Sequence, residues 1–275
     1  MNSGHSLVYI AMLVLLSALA PMACSDGTAG EFLSFETAVA GTAESGAAAE
    51  SFTNGKGWRI TLSAAALAVG PIYYYSSEAQ SGLLDRLLGV KTAYACPAHA
   101  QFDKGTVLGE VRSQYVIDLL DGTPVSTGIS DGEKGLCRMF ELHFHPPGEI
   151  PAGSDDAALE TLGGHSFVIA GVAEKNGVSI RFSGHLTIPD EGTMRIVESI
   201  PADVELDGRP GRAVTLIYTD RQLANVDFGS IVNDDGTCIE ETGDGACVID
   251  SDSQAYLAWL FGVRSRQSYA LEWRE

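Results

Sequence analysis

The chain predicts a mainly β fold, an antiparallel β-sandwich or barrel with two short helices. Three observations carry this expectation. Short β-branched and apolar runs succeed one another between Gly- and Asp-containing turns over residues 57–275, with no internal repeat. Lys175-Asn176-Gly177 is the strongest two-residue hairpin signal in the chain. In the run that follows, Val178, Ile180, Phe182, Leu186 and Ile188 alternate with Ser179, Arg181, Ser183, His185 and Thr187. That is the period-two pattern of a strand with one buried face.

In chain order, Leu7–Ala20 is an uncharged apolar run too short to cross a bilayer, and it reads as the core of a signal peptide over residues 1–23. Residues 24–56 are rich in Ala, Gly, Ser, Thr and Glu and read as a flexible tether, although Phe32 and Phe35 could dock as a first edge strand. The domain then runs over 57–275. Trp58–Ser63 and Gly70–Tyr75 read as strands, with Tyr73 and Tyr75 on one face and Tyr74 on the other. Ser77–Val90 reads as a helix, because Leu83, Leu84, Leu87 and Leu88 recur at helical spacing behind a serine cap. Val107–Val111 and Gln114–Leu120 read as strands, closed by a turn at Asp121-Gly122.

The strand Cys137–His145 stops at Pro146-Pro147, which donate no ladder hydrogen bonds. Gly148–Gly163 is a loop with one helical turn around Ala157–Thr161. Strands at His165–Ala173, Val178–Ile188, Arg195–Ile200 and Ala213–Tyr218 follow. An acidic loop over Asn233–Asp252, a short amphipathic helix at Ser253–Val263 and a closing strand at Ser268–Trp273 complete the chain.

The 17 Lys and Arg against 36 Asp and Glu give a formal charge of −19, which argues against nucleic acid or an anionic membrane surface as a partner. No P-loop or dinucleotide fingerprint is present, so nucleotide binding has no support. The acidic loop fails the EF-hand register, since Thr237 and Cys238 fall at its fifth and sixth positions.

Leu19–Cys24, followed by Ser25, resembles the cleavage box of bacterial lipoproteins, with Pro21 where that box usually has leucine. The resemblance covers only the export segment. It implies acylation of Cys24, a membrane anchor through that lipid, and a bacterial cell-envelope location facing the periplasm or the cell surface. Cleavage after Ala20 is the alternative. With Cys24 acylated, four cysteines remain in an oxidising compartment. Cys238 and Cys247 bracket a short acidic stretch and pair most readily. That leaves Cys96 and Cys137 for each other, or as thiolate metal ligands.

The candidate site is the strand Cys137–His145. At period two, Arg138, Phe140, Leu142 and Phe144 share one face, and Cys137, Met139, Glu141, His143 and His145 share the other. Side chains at i and i+2 lie about 6.6–7 Å apart on one face, so two imidazoles can close on a metal at about 2.0–2.1 Å each. His165, opening the next strand, supplies a third ligand, and His99, in the loop after Cys96, a fourth. Glu141 either ligates directly or orients a histidine through its second ring nitrogen. His185 falls on the polar face of its strand and is left outside the site. The competing reading is a solvated polar face without metal.

Leu142–His145 is similar to the His-x-His strand of the α-type carbonic anhydrases and, with Glu149, to the first half of the cupin motif. The remaining motifs of both families are missing, and neither is adopted. Both imply that such an arrangement can hold a divalent ion. Three functions are therefore carried forward. The first is a cell-envelope lipoprotein that binds zinc or copper without catalysis. The second is a zinc-dependent hydrolase or lyase with three histidines and a bound water, Glu141 or Glu149 assisting. The third is a surface or interaction lipoprotein that binds no metal.

Overall fold

The computed structural model describes residues 31–43, 50–76, 106–148, 154–189 and 192–275. Cys24, Cys96, His99, Glu149 and the expected helix at Ser77–Val90 lie outside them. Fourteen strands are described: β1 (Phe32–Thr42), β2 (Ser51–Thr53), β3 (Arg59–Val69), β4 (Ile72–Ser76), β5 (Val107–Val111), β6 (Tyr115–Asp118), β7 (Val125–Glu133), β8 (Gly135–His143), β9 (Phe167–Lys175), β10 (Val178–Leu186), β11 (Ile196–Leu206), β12 (Arg212–Tyr218), β13 (Cys247–Ile249) and β14 (Tyr269–Arg274). The described helices are α1 (Asp156–Leu162), α2 (Thr219–Gln222) and α3 (Gln254–Val263).

The strands form three sheets. Sheet I has the order β14-β12-β1-β7, sheet II the order β13-β10-β9-β3-β2 with β6 also on β3, and sheet III the order β11-β8-β4-β5. The sheets pack face to face as in a sandwich and do not close into a barrel. β1 pairs with β12 and β10 with β13 in parallel, so the sheets are mixed rather than purely antiparallel. One apolar core joins all three sheets through Phe35 and Val39 of sheet I, Ile60 and Phe182 of sheet II, and Phe140 and Leu142 of sheet III.

The hairpin expected at Lys175-Asn176-Gly177 is present. Asn176 and Gly177 have φ of 52° and 83°, the left-handed pair that such a turn requires. β9 and β10 then pair without a break from Lys175↔Val178 to Phe167↔Leu186. Ile180, Phe182, Leu186 and Ile188 are buried as expected, whereas Val178, beside the turn, is exposed.

Chain passes from sheet II to sheet III at Gly70, between β3 and β4. Its φ is 116°, and a Cβ there would lie 2.3 Å from the Ser113 carbonyl oxygen, so only glycine fits. On the outer side of sheet II, α1 sets Ala158 and Leu162 against Ala66, Ala68 and Val116. The small side chains of β3 let the helix approach closely. Asp155 caps α1 by accepting from the Ala157 and Ala158 amides at 2.9 and 3.2 Å.

Three expectations are corrected. Residues Phe32–Thr42 are not tether. They form β1, which lies between β12 and β7 rather than at an edge, with Ala38, Val39 and Ala40 buried. The compact unit accordingly runs over Leu33–Glu275. Nor is α3 amphipathic: Ala255, Trp259 and Val263 are buried, yet Leu257 and Phe261 on its other side are exposed apolar residues. The third correction concerns Cys137 and is described with the site.

Candidate metal-binding histidines

β8 lies between β11 and β4, with Tyr73 opposite Glu141, Tyr74 opposite Phe140 and Ile72 opposite Leu142. Tyr74, Phe140, Leu142 and Ile72 belong to the core. Alternation therefore puts Tyr73, Tyr75, Met139, Glu141 and His143 together on the opposite face. The partition expected for residues 139–143 is present.

It fails at Cys137. Tyr75 pairs with Met139 but Ser76 with Cys137, so β8 spends an extra residue, Arg138, at a bulge. The bulge turns Arg138 outward to Asp203 at 2.7 Å and Cys137 into the core. Burial pushes the Cys137 thiol up to about 12, and its Sγ lies 3.3 Å from the Met139 carbonyl oxygen, to which it donates. Cys137 is thus a protonated, unbridged core residue rather than a thiolate ligand. Cys238 and Cys247 form the expected disulfide, which closes the acidic loop beside β13.

On the polar face, His143 Nε2 lies 2.7 Å from Glu141 Oε1, and both side chains are largely buried. The Tyr73 ring meets the His143 ring edge-on at 5.6 Å between centroids, and the Tyr75 ring is 6.4 Å from that of Tyr73. Burial, followed by the charges of Glu110 and Glu141, raises the pKa of Tyr73. Tyr75 is raised by burial and then by Glu141, Tyr73, Glu198 and Glu110. The carboxylates thus give this face a negative field, tempered near Tyr73 by Arg112 and Arg195.

His145 lies beyond the end of β8, where the ladder stops at His143. Its Nδ1 is 3.1 Å from Gln114 Nε2 and 3.0 Å from the Pro146 carbonyl oxygen. Gln114 also donates to the His145 carbonyl at 2.8 Å and accepts from the Gly148 amide at 3.1 Å. This buried glutamine, which sequence reasoning passed over, pins the turn through Pro146-Pro147. The i and i+2 imidazoles therefore have separate partners.

His165 belongs to another neighbourhood, at the start of β9 in sheet II. Its ring stacks on that of His185, with centroids 3.8 Å apart and planes inclined by 23°. Its Nδ1 lies 2.8 Å from Thr187 Oγ1. Extending the hairpin register would set His165 opposite Ile188, a core residue. Instead the ladder ends at Phe167, and the Ser166 Oγ accepts from the Ile188 amide at 2.9 Å. The side chain so replaces a main-chain partner, and His165 leaves the ladder to lie over His185.

Among the described residues no group of three or more His, Cys, Asp and Glu side chains is assembled to hold a metal ion. Glu141 and His143 come together; His145 and His165 do not join them there, and His185, left outside the expected site, pairs with His165. Comparison with protein-family models, curated proteins and solved structures finds no match.

Proposed function

We propose that this protein is a lipid-anchored cell-envelope β-sandwich that binds a transition-metal ion, zinc or copper, through histidine and without catalysis. The contact between Glu141 Oε1 and His143 Nε2 is the observation that carries this reading. Metal-binding imidazoles are characteristically fixed by a carboxylate on the nitrogen that does not ligate. With Nε2 so engaged, His143 offers Nδ1 as its ligand atom. The carboxylates around Tyr73 and Tyr75 favour a cation on this face. His145 and His99 would have to be recruited to His143 on binding to complete the ligand set, and the bound ion would be cargo or a structural element rather than a reaction centre. The lipobox-like segment ending at Cys24 supplies the anchor and the envelope location.

The mature protein, purified from an envelope fraction, is assayed for bound metal by elemental mass spectrometry beside the variant His143→Ala/His145→Ala. Wild type is expected to retain zinc or copper that the variant loses; equal metal content in the two overturns the reading. Acylation is read separately, by incorporation of labelled fatty acid into wild type and into Cys24→Ser.

The second reading, an interaction lipoprotein without metal, draws on the engagement of His145 with Gln114 and Pro146, which gives that imidazole a purely structural role. The three-histidine hydrolase or lyase needs a third ligand that the described residues do not bring to His143.

A further inference from the structure

We propose that His165 and His185 form a separate, two-imidazole site for a divalent transition-metal ion on the outer face of sheet II. It does not rest on the reading of His143, which belongs to sheet III, and it assigns a role to His185, the histidine that the strand pattern relegates to a solvated face.

The donor atoms are arranged for this. Thr187 Oγ1 lies 2.8 Å from His165 Nδ1. An Nδ1–H donated to that hydroxyl fixes the tautomer that leaves Nε2 with a free lone pair, the arrangement seen where a ligating histidine is held by an outer partner. His185 stands on the exposed face of β10, free to turn about its side-chain bonds. The backbone beneath is rigid, with nine consecutive pairs joining β9 to β10. The nearest cation along that face of β10, Arg181, is paired with Asp244.

Metal–nitrogen bonds of about 2.0–2.1 Å at a tetrahedral angle place two imidazole centroids about 5 Å apart, against 3.8 Å here. Binding therefore opens the two rings like a hinge, chiefly by rotation of exposed His185, while His165 stays anchored to Thr187. Water completes the coordination, as expected for an exposed site with only two protein ligands. Zinc, copper and nickel, which accept imidazole, are the ions this donor pair selects; calcium and magnesium, which prefer oxygen, are not.

The test uses the mature protein and Cu2+ as the probe, with affinity from isothermal titration and ligand count from electron paramagnetic resonance. Wild type is expected to show a copper equivalent with two imidazole nitrogens in its spectrum. Loss of even an outer partner of a ligand costs about 10–100-fold in metal affinity, so H185A and H165A should each weaken this equivalent by about tenfold or more. H143A should leave it unchanged. Because His185 is exposed, H185A decides the matter even where H165A disturbs the hairpin. Copper bound by H185A with wild-type affinity, or with its two-nitrogen spectrum intact, overturns the proposal. If that equivalent is lost in H143A and kept in H185A, this site is refuted and the reading of sheet III is supported.

Discussion

The polar face of β8 and the outer face of the β9–β10 hairpin both carry histidine, and they hold it in opposite ways. On β8 the imidazole is largely enclosed, and a carboxylate two residues back on the same strand takes one of its nitrogens at 2.7 Å. On the hairpin two imidazoles from neighbouring strands lie against each other, one of them exposed, with a single hydroxyl as outer partner. The β8 arrangement fixes one ring firmly but gathers few donors. The hairpin gathers two donors but leaves one free to move. Enclosure gives orientation, whereas pairing across strands gives ligand count.

The contrast can be broken from its strong side first. Phe140 is fully buried beneath the polar face of β8, so Phe140→Ala should cost about 3–5 kcal/mol in chemical denaturation. If the two regions are independent, the His165–His185 ring signals in an NMR spectrum stay in place while that of His143 shifts. Movement of all three would show the sheets to be mechanically coupled.

The next effect is on the hairpin side. Cys247 pairs with Phe182 on β10, three residues before His185, and its disulfide spans a separation of 9 residues. Replacing both cysteines by serine should lower stability by about 2–3 kcal/mol on chain-entropy grounds. A smaller loss would mean that the β10–β13 ladder alone holds this edge.

Glu141→Ala tests enclosure directly. It leaves the His143 nitrogen without its carboxylate and should cost about 1–3 kcal/mol. Glu141→Gln, which keeps an acceptor oxygen, should recover much of that loss. By contrast, His185→Ala on the open face should stay within about 0.5 kcal/mol of wild type.

The smallest effect is a titration. His165 should titrate below the ordinary histidine value of 6.5, because burial and then His185 disfavour its charged form. A depressed histidine prefers to fold neutral, so its contribution to stability is present above the ordinary value and lost as pH falls through the folded one. In His185→Ala, NMR should show the His165 pKa move upward part of the way, since the larger cause, burial, remains.

Much of this architecture is legible in the sequence wherever a strand has one buried face and a turn of definite chemistry. β9, β10 and their turn follow from Asn176-Gly177 and the alternation after it, and β4, β5, β12 and β14 from β-branched and aromatic runs. Where the signal is weak, the physical cause is identifiable. In β7 the inward residues of its stretch Ser126–Gly132 are Thr127 and Ser130, so no apolar alternation exists to be read. The Ala38–Thr42 end of β1 and the second half of β3 are built mainly from small residues. That composition mimics a tether, although here it suits close packing: in β1, a Cβ on Gly41 would lie 2.2 Å from the Leu119 carbonyl oxygen. The site was half legible. The pairing of Glu141 with His143 follows from strand period. The inward turn of Cys137 depends on a bulge, and the meeting of His165 with His185 on a ladder that ends early, neither of which alternation can foresee.

The parallel pairing of β1 with β12 has a kinetic consequence. Glu36 stands opposite Arg212, so the strand that lies inside sheet I meets that neighbour only across most of the chain. Closing so large a loop loses entropy before any contact repays it, and topologies dominated by distant pairings are slow to form. Until residues 212–218 are available, β1 lacks its parallel neighbour and its Ala38–Thr42 segment has an open hydrogen-bonding edge. During folding this strand, rather than the histidine faces, is the part of the molecule most in need of shielding from other chains.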